Sequence, residues 1–312
     1  MKSTLPFSVL ASALVVIGFC GIDSARAEDG AGDRAVTKNS PADSLNWLSD
    51  YGAAMTQAEV GRKFMLIYFY ENEPSANQLR LEKEAFGDPK IVEKLRRECV
   101  LVKVPLGYEV SVGGKLGPLM NFEAFADLNR RPGLAMIDYV HEHEDLHGYV
   151  VSILPLDNGK YYRFSPDYVR TMLELPAGTL TQRTMIFAVR VHPEKPASTR
   201  GRPNSSLFTE AREHSFFQAR LRNQGHHNWG SRFQRISNLL GGGLRAQEVV
   251  AESWPGENLV DAAIDCVDCW RQSPGHWGAV VSDQPQFGYD IKKGENGIWY
   301  ATGLFGNRHD SK

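Results

Sequence analysis

His276 follows a turn signal near the end of the chain, in the segment Trp-Arg-Gln-Ser-Pro-Gly-His-Trp at positions 270–277. A proline pushes the residue before it out of the helical region, and a glycine permits a sharp reversal of the backbone. The segment therefore predicts a helix that ends near Trp270, followed by a rigid corner that aims the His276 ring into a cleft. An imidazole in such a cleft can bind a metal ion or exchange protons near neutral pH.

Two other groups of residues have the side chains found in reactive sites, but their positions in the predicted elements are not those that such sites use. Cys266 and Cys269 form a Cys-x-x-Cys inside a predicted helix, whereas redox pairs put the first thiol at a helix N-terminus. We interpret them as core-facing thiols, with a redox pair or half of a zinc site as alternatives. The acid- and histidine-rich segment from His141 to His147 falls between two predicted strands. A solvated hairpin loop explains it better than a metal cluster.

The elements that must position His276 form a run of helices followed by a small sheet. Glu248 begins a strand-like segment between these helices. Helices at the faces of a hairpin-rich sheet would make a sandwich. Helices are predicted over 181–189, 206–221, 229–239 and 259–270, and strands over 248–251, 279–281, 287–290 and 297–306.

This order of elements and motifs resembles the CAP superfamily, which comprises the cysteine-rich secretory, antigen 5 and plant pathogenesis-related proteins. The motifs are Ala-Arg-Glu-His-Ser at 211–215, Gly-His-His-Asn at 225–228, Trp-Arg-Gln-Ser-Pro-Gly-His at 270–276 and Gly-Ile-Trp-Tyr at 297–300. The match extends over about residues 178–306. The resemblance implies a CAP-type α-β-α sandwich for residues 176–308.

The resemblance also implies a cleft that brings together two histidines and one or two glutamates. By correspondence the histidines are His226 and His276, and the first acid is Glu248. Glu257 is the alternative acid, in a Gly-Glu-Asn segment that lies closer to the final helix than its counterpart in the family does. The second acid of the family is missing, because Ser-Arg stands at positions 231–232.

Two neutral imidazoles and a carboxylate can do three different things. His226 and His276 can bind zinc or a similar divalent ion and leave a position open. The same groups can exchange protons around neutral pH. They can also form a purely structural pair that fixes the junction of helix and sheet. No cofactor is certain from the sequence, and a divalent metal such as zinc is the one candidate.

The first half of the chain, residues 44–175, has an α/β layout that resembles the thioredoxin fold. An apolar run at 64–70 predicts a buried central strand, and Asp88-Pro89 predicts a helix start before a second strand at 100–104. Arg131-Pro132-Gly133 stands where that fold places its cis-proline loop. The loop after the central strand reads Glu-Pro-Ser-Ala at 73–76 instead of Cys-x-x-Cys. We therefore predict a redox-inactive scaffold or interaction module.

The N-terminus predicts export from the cytoplasm. Lys2, an apolar run at 5–19 and Ala-Arg-Ala at 25–27 have the layout of a secretory signal peptide, residues 1–27. A flexible leader, residues 28–43, would follow. A lipoprotein anchor at Cys20 is the alternative, but the bulky Phe19 stands where a small residue is expected. No later segment has the apolar length of a membrane span.

Composition narrows the function classes. The chain has a formal net charge of -2 with 23% charged residues, so nothing favours nucleic acid or an anionic membrane surface as a partner. After signal cleavage three cysteines remain, an odd number that does not make a disulfide scaffold. We predict an exported protein, periplasmic or extracellular, that binds a partner, peptide or small ligand through the cleft. A metal-assisted hydrolase or protease-like enzyme is the alternative, and a structural envelope protein is a third class.

Overall fold

The computed structural model describes residues 45–112 and 115–308, which form a mixed α/β chain with several sheets. The predicted signal peptide (1–27) and the leader (28–43) lie outside the described residues. Within the described part of the chain, no helix combines the length and the apolar character needed to cross a bilayer.

The first half of the chain forms a five-stranded sheet and a separate two-stranded hairpin. The sheet contains β1 (Trp47–Leu48), β2 (Phe64–Tyr70), β3 (Cys99–Pro105), β6 (Gly133–Ile137) and β7 (Val150–Pro155), and the hairpin contains β4 (Glu109–Val112) and β5 (Lys115–Pro118). The strand order is β1-β3-β2-β6-β7. The first three strands are parallel, while β6 and β7 are each antiparallel to their neighbours. The central position of β2 confirms the strand predicted from its apolar run.

The described residues of the first half contain four α-helices, and two of them begin after an aspartate whose carboxylate caps the first turn. The four helices are α1 (Tyr51–Gly61), α2 (Ala76–Arg80), α3 (Pro89–Glu98) and α4 (Tyr168–Leu173). The Asp50 carboxylate accepts from Ala53 N at the start of α1, and the Asp88 carboxylate accepts from Lys90 N at the start of α3. Helix α2 passes directly into a π-helical turn over Leu81–Ala85.

The loop before β6 corrects one detail of the thioredoxin-like expectation. No peptide bond among the described residues is cis, so Pro132 is not the cis-proline that the resemblance implied. Pro132 O instead accepts from Leu156 N at 3.0 Å, just beyond the end of β7. The loop therefore closes the edge of β6 and β7 through an ordinary trans peptide.

The second half of the chain forms a four-stranded sheet covered by helices. Its strands are β8 (Arg202–Pro203), β9 (Leu244–Glu252), β10 (Gln286–Lys293) and β11 (Trp299–Arg308), and its helices are α5 (Leu180–Val191), α6 (Ser205–Leu221), α7 (Trp229–Leu240), α8 (Leu259–Arg271) and α9 (Pro274–Val281). The strand order is β8-β10-β11-β9, and all pairs except β8 with β10 are antiparallel. Helix α6 packs on β10 and β11, while α7 packs on β9.

Three expectations about the second half are wrong. The first turn of α5 is capped by Thr179 rather than Thr181. Residues 279–281 belong to α9 and not to a strand. The Ser-Pro-Gly segment does not make a reversal, because Ser273 takes the N-cap position and Pro274 the first helical position of α9. A proline at this position lacks only an N–H that the helix leaves unbonded, so it starts the helix.

The two sheets share one continuous hydrophobic core, which runs from Leu45 to Phe305. Helix α5 joins them, since it packs on β7 of the first sheet and on β10 of the second. Its Arg183 is 2% exposed and donates to Ser152 Oγ on β7 and to the carbonyl oxygens of Met172, Leu175 and Pro176. A division of the chain into two domains near residue 175 stays a prediction.

Candidate functional site

His226 lies on the loop between α6 and α7, with 42% of its side chain exposed. The loop is held in place by Gly225, whose N–H donates to Gln218 Oε1 and whose carbonyl accepts from His214 Nε2 at 3.0 Å. The loop also needs left-handed backbone at Arg222 and Asn228, which have φ values of 55° and 54°. These constraints present the His226 ring to the edge of β9.

Glu248 stands in the middle of β9 with a side chain only 1% exposed. Its Oε1 lies 3.0 Å from Nδ1 of His226 and 3.8 Å from Nε2 of His214. Burial alone would raise the pKa of Glu248, but contacts with His226 and Arg232 outweigh it and hold that pKa below its usual value. Glu248 is therefore an ionised carboxylate that orients the His226 ring.

Arg232 is a site residue that the sequence reasoning noted only as the replacement for a missing acid. It lies on α7 with 9% of its side chain exposed, and its Nη2 is 2.5 Å from Glu248 Oε2. The two side chains form a buried ion pair, and this contact with Arg232 helps to lower the pKa of Glu248. The nearby guanidinium supplies the positive charge that lets Glu248 stay ionised inside the protein.

His276 stands in the first turn of α9, and its Nε2 lies 3.3 Å from Nε2 of His226. The helix is fixed by the next residue, Trp277, whose indole N–H donates to Glu194 Oε2 at 3.2 Å. Burial lowers the pKa of His276 and the neighbouring His226 lowers it further, against the charge of Glu248, which raises it. The neutral imidazole is therefore favoured at His276.

The hydrogen bonds define which ring nitrogens face each other. Because the Glu248 carboxylate only accepts, Nδ1 of His226 carries a proton and Nε2 of a neutral His226 has a lone pair. That lone pair points at Nε2 of His276. The two rings are therefore held either by a proton on His276 Nε2 or by a cation that both nitrogens bind.

The separation of the two nitrogens fits a zinc ion. Two nitrogens bound to one tetrahedral zinc at about 2.0–2.1 Å lie about 3.3–3.4 Å apart, and the observed separation of His226 Nε2 and His276 Nε2 is 3.3 Å. A carboxylate on the other ring nitrogen, as Glu248 provides for His226, is the usual outer partner of a metal-bound histidine. Within the described ranges, however, no group of three His, Cys, Asp or Glu is placed to hold a metal.

Glu257, the alternative acid, lies in a different environment. Its carboxylate is 6% exposed, and Oε1 is 3.2 Å from Lys160 Nζ, on a loop of the first half. Asn258 beside it caps α8 by accepting from Val260 N and Asp261 N. The structure thus brings Glu248 to the histidines and puts Glu257 at the contact between the two halves.

His214 is a buried histidine beneath the cleft. It is 3% exposed, and burial lowers its pKa to about 4 even though Glu248 raises it. Its Nε2 donates to the Gly225 carbonyl, so it supports the loop that carries His226.

The other groups singled out in the sequence lie apart from this cleft. Cys266 is buried and Cys269 is half-buried on α8, and both are free thiols. Burial raises the pKa of Cys269 to about 11, which opposes thiolate chemistry. His141 sits on the predicted loop between β6 and β7, where Nδ1 lies 2.7 Å from Oδ2 of the buried Asp138.

Comparisons with known proteins add little to this description of the site. No protein-family model matches the sequence, and no curated protein matches it. Among solved structures, the chain is similar to an outer surface protein from Borrelia burgdorferi, at 24% identity over 35% of this chain and 77% of that chain. The TM-score is 0.28, which is too low to support any conclusion about this fold.

Proposed function

We propose that this protein binds a divalent cation of the zinc class in the cleft between His226 and His276, together with a small polar ligand or a protein partner. The observation that carries the proposal is the 3.3 Å separation of the two Nε2 atoms. Glu248 fixes the tautomer of His226 that leaves Nε2 free to bind. The lowered pKa of His276 favours the neutral ring that a metal requires.

The number of protein ligands supports a role in binding a further molecule. Two imidazoles fill only half of a tetrahedral shell. The remaining positions are open to water or to donor atoms of a ligand, such as a carboxylate or an amide oxygen. On this proposal the second half is a CAP-type α-β-α sandwich that carries the cleft. The first half is a thioredoxin-like scaffold without redox chemistry, and the predicted signal peptide exports both.

The scaffold role of the first half rests on its cysteine content. The loop after β2 contains no cysteine between positions 71 and 76. Cys99 is buried at the start of β3, and burial raises its pKa to about 12. A thiol in that state is a poor nucleophile, so we expect no reduction of insulin disulfides by this protein.

Zinc titration by calorimetry tests the cleft. We expect the intact protein to bind one zinc ion at neutral pH and the variants His226→Ala and His276→Ala to lose at least about tenfold in affinity. His143→Ala is the matched control, because His143 is an exposed histidine on the loop between β6 and β7. The proposal fails if the intact protein binds no zinc, or if the two cleft variants bind it as the control does.

A metal-assisted hydrolase is the second candidate, and the open coordination positions favour it. A metal supplies a nucleophile by lowering the pKa of a bound water. The ion pair of Arg232 with Glu248 would hold the carboxylate that orients His226. A screen against peptides and cell-wall fragments separates this candidate from simple binding. Hydrolysis must disappear in His276→Ala and in Glu248→Ala, and persist in His143→Ala.

A further inference from the structure

A second concave site lies between α6 and α7, next to the cleft but separate from it. The groove has a volume of about 270 Å³. His214 and Arg232 form its floor, and both contact Glu248 on their other side. Its walls include Glu213 and Phe217 from α6, His227 from the loop, and Arg235 from α7.

The charges that face this groove leave one carboxylate without a bonded partner. Arg235 donates from Nε and Nη2 to the two oxygens of Glu210, at 2.9 and 2.5 Å. Arg232 is paired with Glu248 at 2.5 Å. Glu213 is exposed and, within the described residues, makes no ion pair or hydrogen bond, although its charge helps Glu210 to raise the pKa of Arg235. The unbalanced charge of the groove is therefore negative.

The two imidazoles add acceptors to that carboxylate. Nε2 of His214 lies 3.0 Å from the Gly225 carbonyl, and Nε2 of His227 lies 3.1 Å from the Asn223 carbonyl. A carbonyl oxygen can only accept, so each Nε2 carries a proton and each neutral ring keeps a lone pair on Nδ1. Among the described residues neither Nδ1 has a hydrogen-bond partner.

Phe217 adds an aromatic surface beside these acceptors. Its ring centroid lies 5.6 Å from that of His227 and 6.4 Å from that of His214. Arg220 already stacks on Phe217 at 6.0 Å, which shows that this ring accepts a cation. An aromatic face next to a carboxylate favours a cation on an alkyl stem.

We infer that this groove binds a primary alkylammonium group, of the kind that a lysine side chain carries. An ammonium group has three N–H donors and no acceptor, so it can donate to the Glu213 carboxylate and to a free Nδ1 of a histidine that lines the groove. An anion is disfavoured by the unbalanced charge of Glu213. Because the groove is separate from the cleft, amine binding goes beyond the proposed function and does not depend on a metal between His226 and His276.

Calorimetry with the full chain tests the groove. The probes are Nα-acetyl-lysine methylamide, which resembles a lysine within a peptide, n-butylamine, which is a free amine, and Nα-acetyl-norleucine methylamide, which lacks the charge. We expect both amines to bind saturably and the norleucine compound not to bind. Tighter binding of the lysine compound identifies a peptide as the source of the ammonium group, and equal binding identifies a free amine.

Three variants complete the test. Glu213→Gln should weaken amine binding by roughly tenfold or more, because a hydrogen bond to a charged partner is lost. Glu252→Gln, an exposed carboxylate at the end of β9, should leave binding unchanged. The double variant His226→Ala, His276→Ala should also retain amine binding, and its loss would place the amine in the cleft and overturn the proposal. Absence of saturable binding, or equal affinity in Glu213→Gln, overturns it too.

Discussion

The two halves of this protein bury very different numbers of polar residues. Among the described residues before position 176, three polar residues are buried, namely Gln78, Asp138 and Ser152. From position 176 onward there are 20, including Glu210, His214, Arg232, Glu248 and Asp290. Burial of charge costs free energy unless each group is paired, and such groups cluster at functional sites. The candidate sites therefore lie in the half that buries most of the polar residues.

The buried groups of the second half form a connected network under its sheet. Ser215 Oγ donates to the Asp290 carbonyl and is hydrogen-bonded to the Thr302 hydroxyl, each at 3.0 Å. Gln218 donates to the same Thr302 oxygen, and its own carbonyl holds Gly225 on the loop of the cleft. The position of His226 therefore depends on side chains that lie between α6 and the sheet.

Removal of the Glu248 side chain is expected to have the largest effect. Glu248→Ala leaves Arg232 buried without its counter-charge, so we expect the free energy of unfolding to fall by about 3–5 kcal/mol. Glu82→Ala is the comparison in the first half, where a carboxylate 39% exposed pairs with Lys103. That change should cost about 1 kcal/mol or less. Urea denaturation measures both.

A conservative variant sharpens the same comparison. Glu248→Gln keeps an acceptor for His226 and removes only the charge, so its loss of stability should fall between those of the two alanine variants. Similar losses in Glu248→Ala and Glu82→Ala would show that buried charge does not distinguish the halves.

Acid should lower the stability of the second half through protonation of His214. We expect this effect to be smaller than that of Glu248→Ala. The folded pKa of His214 is about 4 against an ordinary 6.5, so the unfolded chain takes up a proton at higher pH than the folded one. The stability that comes from burying the neutral ring is full above pH 6.5 and lost as the pH falls towards 4. His276, whose pKa is also lowered, acts in the same direction.

The variant His214→Gln isolates this effect. The amide can still donate to Gly225, so the decline in urea midpoint between pH 6.5 and pH 4 should become shallower. His143→Gln, on the exposed loop of the first half, should decline like the unmodified protein. An unchanged slope in His214→Gln would remove His214 as the cause.

Thiol labelling is expected to show the smallest difference between the halves. Burial raises the pKa of Cys99 to about 12 and that of Cys269 to about 11, and it also raises that of Cys266. We expect iodoacetamide at mildly alkaline pH to modify Cys99 and Cys266 only after unfolding, and Cys269 slowly. Peptide mass mapping with and without urea measures this. Fast labelling of Cys269 in the folded protein would favour the redox-pair alternative.

Local signals in the sequence predicted most of the elements. Asp88 caps the helix that it was expected to begin, and the apolar run of β2 is a central strand. The strand predicted over 279–281 failed because a short apolar run does not by itself distinguish strand from helix. The proline at 274, which was taken to end a helix, begins one instead.

The candidate site was harder to predict from local sequence signals. His226 and Glu248 are 22 residues apart in sequence, and His226 and His276 are 50 apart, so only the resemblance to a family pattern suggested that they meet. The role of Arg232 was missed because an arginine at the position of the expected acid was interpreted only as the absence of that acid. Its spacing of four residues from Ile236 and eight from Leu240, the other buried residues of α7, was the signal that its side chain turns inward.

The hydrogen bonds of Arg183 across the junction of the two halves limit where the chain can be cut in protein engineering. Its guanidinium binds the carbonyl oxygens of Met172, Leu175 and Pro176, which lie on the other side of any cut made near Gly178. A truncated protein that starts there would expose this cation and the apolar face of α5. The fragment before the cut would lose the donor to its Met172, Leu175 and Pro176 carbonyls. Exchange of either half between homologous proteins should therefore keep residues 172–183 together as one unit.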